Sequence, residues 1–119
     1  MQARPIRTTA LVAALAVACV LATGPNASAA VVVTGYTQTW SPAVVRIAPG
    51  GAVRWHAVSG EHNVKAYGGS WTYFRSLSQG ASTRARTFRA RGTFRFYCTI
   101  HAIVTGGHCS GMCGKVVVR

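Results

Sequence analysis

Acidic residues are almost missing from this chain: its 119 residues hold one Asp+Glu, Glu61, against 13 Lys+Arg, a formal net charge of +12. There is no aspartate at all, so a Ser-His-Asp triad cannot be assembled. A single carboxylate also excludes an aspartic dyad, the paired carboxylates of glycoside hydrolysis and an all-oxygen calcium site. Most hydrolytic chemistry is closed off before any motif is read. Also missing is a sustained 3.6-residue apolar period with caps, so no amphipathic helix is expected. The chain is not a disordered polycation either, because 50% of its residues are hydrophobic. Its length suits one domain.

What is present begins with an export leader, expected over residues 1–29. Arg4 and Arg7 form a basic start, residues 10–22 are an Ala/Leu/Val-rich run, and Ala27-Ser28-Ala29 is an A-x-A cleavage site. The run is shorter than the roughly 20 apolar residues of a spanning helix and ends in Gly24-Pro25, so the chain is expected not to be transmembrane. A rival reading takes Leu15-Ala16-Val17-Ala18-Cys19 as a lipid-attachment sequence with Cys19 modified. Cleavage after Ala29 takes 29 of the 119 residues and leaves 90. It removes Arg4 and Arg7, leaving 11 basic residues against Glu61, a net charge of +10. The product is expected outside the cytoplasm, secreted or held at the cell envelope, where a disulfide persists. Residues 30–119 then form one domain with three cysteines, Cys98, Cys109 and Cys113. An odd count leaves one thiol for other work.

That domain reads as β throughout. Short β-branched and aromatic runs are separated by Gly, Ser and Pro. In Ala52-Val53-Arg54-Trp55-His56, Val53 and Trp55 share one face while Arg54 and His56 share the other. From Thr93 to Cys98 the alternation is clearest, with Phe94, Phe96 and Cys98 inward. About seven such strands describe an all-β, two-sheet antiparallel sandwich. Residues 66–82 are Gly/Ser-rich and less legible; Trp71 and Phe74 are expected to cap the core there.

Four residues carry the chemistry. Cys98 ends an inward-facing strand, His101 follows three residues later, Met112 precedes the last strand, and His62 lies far upstream. Two imidazoles and a thiolate make a trigonal site to which a thioether adds a weak axial contact. That donor set suits copper moving between Cu(I) and Cu(II). An enzymatic role needs an open coordination position or a second metal centre, and the sequence offers neither, so the protein is expected not to be an enzyme.

At these residues the chain resembles the cupredoxins, the plastocyanin/azurin-type blue-copper family. The resemblance runs from about Ser41 to Val118. It rests on Ala48-Pro49-Gly50, Val53-Arg54-Trp55, Glu61-His62-Asn63-Val64 and Gly80-Ala81-Ser82 leading to Phe88. Gly92-Thr93-Phe94-Arg95-Phe96-Tyr97-Cys98-Thr99-Ile100-His101 and Met112-Cys113-Gly114-Lys115-Val116-Val117-Val118 complete it. It implies a Greek-key sandwich, one type 1 copper ion held by His62, Cys98, His101 and Met112, and single-electron transfer to a redox partner protein. Two features depart from the family. Residues 102–111 separate His101 from Met112, a longer gap than usual, and Gly51 stands where many relatives carry an acidic residue.

Other readings sit beside this one. The same site could capture or deliver copper without electron transfer. Cys98, His101, Cys109 and Cys113 have spacings that a structural zinc would accept. Outside the cytoplasm, however, Cys109 and Cys113 are expected to form a disulfide, with Ser110-Gly111 making the turn it needs. His56 and His108 read as ordinary solvated or core histidines, although His108 competes with Met112 for the axial position. Arg84, Arg86, Arg89, Arg91 and Arg95 alternate with core residues, which describes a solvated basic face and not a nucleic-acid site. Such a face is expected to steer an acidic redox partner or an anionic envelope polymer toward a monomeric protein.

Overall fold

The computed structural model describes residues 2–3 and 29–119. The expected leader's apolar run and Cys19 lie outside the described residues. From Val31 onward the chain is built of nine strands: β1 (Val31–Gly35), β2 (Trp40–Ser41), β3 (Val44–Ile47), β4 (Gly51–Ala57), β5 (His62–Tyr67), β6 (Phe74–Leu77), β7 (Arg86–Phe88), β8 (Gly92–Thr105) and β9 (His108–Val118). They form two sheets, ordered β2-β1-β4-β7 and β3-β9-β8-β5-β6. The expected all-β sandwich is therefore present, with mixed sheets. β2 and β3 are consecutive in the chain but lie in different sheets, so the chain crosses between layers at Pro42-Ala43. That crossing lays β3 parallel to β9, while β1 runs parallel to β4.

Alternation decides which residues face inward. Val33, Val53 and Trp55 from the first sheet meet Val64, Phe96, Cys98 and Val116 from the second, all without solvent exposure. Phe96 packs edge-on against Trp55, with ring centroids 5.2 Å apart. Truncating such a ring to alanine costs about 3–5 kcal/mol, because a close-packed interior leaves a cavity behind.

One core expectation needs correcting. Phe74 does not cap the core: it is half exposed, and Tyr73 is buried instead. The reason is parity. Leu77 points inward, so residues 75 and 73 share its side of the strand and Phe74 faces out. Trp71 does cap the core, stacked on Tyr73 at 5.2 Å and on Trp55 at 6.4 Å.

Candidate metal centre

The longest strand pairing in the molecule, β8 with β9, contains one interruption. Tyr97 pairs with Cys113 and Ala102 with Gly111, so the four residues from Cys98 to His101 lie opposite the single residue Met112. Cys98, His101 and Met112 thus share one irregularity at the end of the sandwich. An extra segment on one strand re-aims side chains that regular pairing would fix. Cys98 keeps the inward parity of Phe94 and Phe96, and Met112 is fully buried. His101 is half-buried at the rim.

β5 supplies the remaining side chain. His62 opens that strand and is 3% exposed, the one buried polar residue of the described core. His62 Nδ1 lies 3.7 Å from Cys98 Sγ, and His101 Nδ1 lies 3.6 Å from the same sulfur. The donor atoms of all three residues lie within 4.8 Å of one another. Hydrogen bonding settles the tautomer of His62. Its Nε2 is 2.7 Å from the Ser59 carbonyl oxygen, which can only accept, so Nε2 carries the proton and donates. Nδ1 is left with a lone pair facing the sulfur.

These spacings fit a metal ion. With metal–nitrogen bonds of about 2.0 Å and metal–sulfur bonds of about 2.3 Å, in-plane ligands bring N and S about 3.7 Å apart. One sulfur and two imidazole nitrogens are a donor set for a borderline or soft transition metal. A carboxylate-loving ion has nothing to bind here, since Glu61 accepts the Gln79 amide N–H and is not in the group.

Several neighbours that the sequence reading did not single out hold this arrangement. The backbone ladder between β5 and β8 ends at Lys65–Tyr97. Beyond it, the Asn63 side chain continues the connection. Asn63 Nδ2 donates to Thr99 Oγ1 at 2.7 Å, and Thr99 N donates to Asn63 Oδ1 at 2.9 Å. The residue after Cys98 is thereby tied to the residue after His62. Gly111 has φ +108, and a Cβ there would collide with the His101 carbonyl oxygen. Only glycine allows β9 to pass so close to that backbone. Asn63 was visible in the quoted Glu61-His62-Asn63-Val64 motif; Gly111 carried no signal in the sequence beyond being a permitted turn residue.

The long segment between His101 and Met112 is no loose loop. Ala102 to Thr105 pair with His108 to Gly111 across Gly106-Gly107, both at positive φ as a two-residue hairpin turn requires. The β8–β9 ladder simply resumes past the interruption. Cys109 and Cys113 are joined in a disulfide with Cα atoms 6.2 Å apart. That is far closer than four residues of straight strand, and the kink at Gly111 makes the approach feasible. With both sulfurs in the bridge, the zinc set loses two of its four ligands, and Cys98 is the free cysteine among the described residues. His108 is exposed beside the hairpin turn and lies outside the three-residue group. His56 is bound to Ser82 Oγ at 2.7 Å.

No protein-family profile matches the chain. No curated relative matches it by sequence either. Solved structures do. An oxidised amicyanin mutant matches with a TM-score of 0.61 at 23% identity, covering 76% of this chain and 82% of that one. A reduced amicyanin mutant matches with a TM-score of 0.63 at 23% identity, covering 78% and 85%. A copper-containing nitrite reductase from Thermus scotoductus SA-01 matches with a TM-score of 0.63 at 20% identity. There the alignment spans 76% of this chain but 22% of the reductase. At these identities the likeness establishes the fold: the chain is a cupredoxin-type β-sandwich carrying a His-Cys-His group.

Proposed function

We propose that this chain is an exported type 1 copper protein that carries single electrons, with His62, Cys98 and His101 holding one copper ion and Met112 as the weak axial contact. The observation that carries the reading is the Cys98 sulfur set 3.7 and 3.6 Å from two imidazole nitrogens. Copper bound by such donors supplies one-electron Cu(I)/Cu(II) chemistry. The protein's part is to keep the donors still. Ser59 fixes the His62 ring, Asn63 fixes Thr99 beside Cys98, and the sandwich core buries Cys98 away from water. A donor set that barely moves favours fast electron exchange, because little reorganisation accompanies it.

The reading as a carrier also draws on the rim. His101 is half-buried, and Ile100 and Ile103, near it in the chain, are 57% and 73% exposed. Exposed apolar side chains of this kind let a partner approach closely without stranding charges. With 11 Lys+Arg against a single acid once residues 1–29 are removed, an acidic partner is attracted from a distance. Its association rate should therefore fall as salt rises. Residues 1–29 are proposed as the export leader, cleaved after Ala29.

The experiment is direct. Adding Cu(II) to the purified protein should produce an intense blue thiolate-to-copper band. Cys98→Ser should abolish that band and leave the β-sheet circular dichroism intact. An intense band that survives Cys98→Ser would sink the copper assignment.

A further inference from the structure

The sandwich has an open flank where the outer strands β6 and β7 of the two sheets face each other. A cleft of about 450 Å³ lies there, lined by Tyr73 and Arg75 on one side and by Arg84, Ala85, Arg86 and Thr87 on the other. Its volume falls in the range of roughly 300–1,000 Å³ typical of small-molecule sites. Three arginines line it, Arg75, Arg84 and Arg86, and none belongs to the candidate metal centre.

Two of the three are held in place. The Arg75 guanidinium carbon lies 5.2 Å from the Tyr73 ring centroid, and that of Arg86 lies 5.5 Å from the same ring. Arg86 also stands 5.4 Å from the Trp71 ring and 5.9 Å from Phe88. Arg75 Nη1 donates to the Phe74 carbonyl oxygen at 2.7 Å. The ring beneath them is itself fixed, because Tyr73 is buried and stacked on Trp71. A guanidinium held over an aromatic ring has lost part of its freedom before any ligand arrives, and N–H donors besides the Arg75 Nη1 group bound to Phe74 remain for a ligand.

Among the described residues no acidic side chain lines this cleft. Glu61 is the single acidic side chain, and its carboxylate accepts the Gln79 amide N–H. Like charges gathered on one aromatic ring repel each other, and an anion placed among them relieves that repulsion. A carboxylate offers one planar edge, enough for one guanidinium fork. A phosphate group offers several oxygens in different directions, as donors arriving from two strands require.

We propose that the Tyr73 cleft is a binding site for a phosphate-type oxyanion, with Arg75, Arg84 and Arg86 as its guanidinium ligands. The phosphate comes either as the free inorganic ion or as the phosphodiester of an envelope polymer. This site stands apart from the copper reading and survives its failure.

The test is a titration of the purified protein with inorganic phosphate at ionic strength held constant with chloride, followed by Trp71-region fluorescence and calorimetry. Saturable one-to-one binding is expected. Arg86→Gln should weaken it at least tenfold, and so should Arg84→Gln, which touches no ring and leaves the aromatic stack untouched. Arg46→Gln, on the exposed face of β3, should leave it unchanged. The absence of saturation, or equal losses in Arg46→Gln and Arg86→Gln, overturns the proposal in favour of diffuse charge. A soluble glycerol phosphate polymer is then offered as competitor. Displacement of phosphate assigns the site to phosphodiesters, and failure to displace assigns it to the free ion.

Discussion

The indole N–H of Trp40 donates to the main-chain carbonyl oxygen of Met112 at 3.2 Å. Trp40 belongs to β2 in one sheet and Met112 to β9 in the other, so this bond ties the two layers at the end that holds the metal candidates. The same indole lies 5.7 Å from the His62 ring and 5.8 Å from Phe96. One buried side chain therefore braces both the upstream histidine and the backbone of the axial candidate.

Trp40→Phe keeps an aromatic ring but removes the donor. The Met112 carbonyl is then left unpaired in a buried place, which costs about 1–3 kcal/mol. We expect a lower melting temperature and, in the copper-loaded protein, a changed reduction potential and electron paramagnetic resonance spectrum. A lower melting temperature with both metal signatures unmoved would reduce Trp40 to a packing residue.

Asn63 gives a second, separable effect. Its two bonds to Thr99 replace the ladder where β5 and β8 part. They lie near the surface, so Asn63→Ala should cost only about 1–2 kcal/mol in urea unfolding. The spectroscopic consequence should be larger than that figure suggests, because Thr99 is bonded directly to Cys98. A broadened or shifted thiolate-to-copper band is the expected result; an unchanged band would mean that Cys98 is held by its strand alone.

How much of this was legible beforehand depends on how far each feature follows from strict alternation. Val53, Trp55, Phe94, Phe96 and Cys98 were read correctly because a strand has a period of two and one face must be dry. Tyr73 was missed for the opposite reason: its segment is Gly/Ser-rich, so no neighbouring pattern fixed the parity. Cys98 and His101 stood out by residue type and spacing and His62 by the resemblance of its motif; their donor atoms lie within 4.8 Å of one another. The parallel pairings could not be read from any local pattern, since they depend on where the chain changes sheets. Residues 102–111 gave no sign that they would pair, because Gly106-Gly107 reads equally well as a loop or a hairpin turn. Trp40 is a contact between residues 72 apart in sequence, which no short motif encodes.

The disulfide makes a prediction of its own. Cys109 and Cys113 enclose a very short ring, so the chain-entropy gain is roughly 2 kcal/mol, smaller than for a long-range bridge. Cys109→Ser with Cys113→Ser should lower stability by about that amount without unfolding the sandwich. Alkylation of the metal-free processed protein without reductant, read by intact mass, should label one thiol, Cys98. Three labelled thiols would show an open bridge and return the zinc reading to consideration.

For the axial position of the proposed copper centre, two residues compete. Met112 is fully buried and is the single β9 residue opposite the segment from Cys98 to His101. Trp40 holds its carbonyl, Gly111 lets its backbone approach His101, and the disulfide closes over it on both sides. His108 is the stronger ligand by chemistry, yet it is exposed beside the hairpin turn, where it pairs with Thr105. Reaching the centre would require the resumed β8–β9 ladder from Ala102 to Gly111 to come apart. A weak thioether ligand tunes the metal more than it retains it. Removing it leaves three donors, a lower coordination number that Cu(I) tolerates better than Cu(II), so the balance shifts toward Cu(I). Met112→Leu should therefore keep copper and the blue colour and raise the reduction potential, while His108→Ala should change neither. Voltammetry and visible spectra of the two variants decide the matter: a spectrum altered by His108→Ala and untouched by Met112→Leu would move the axial assignment to His108.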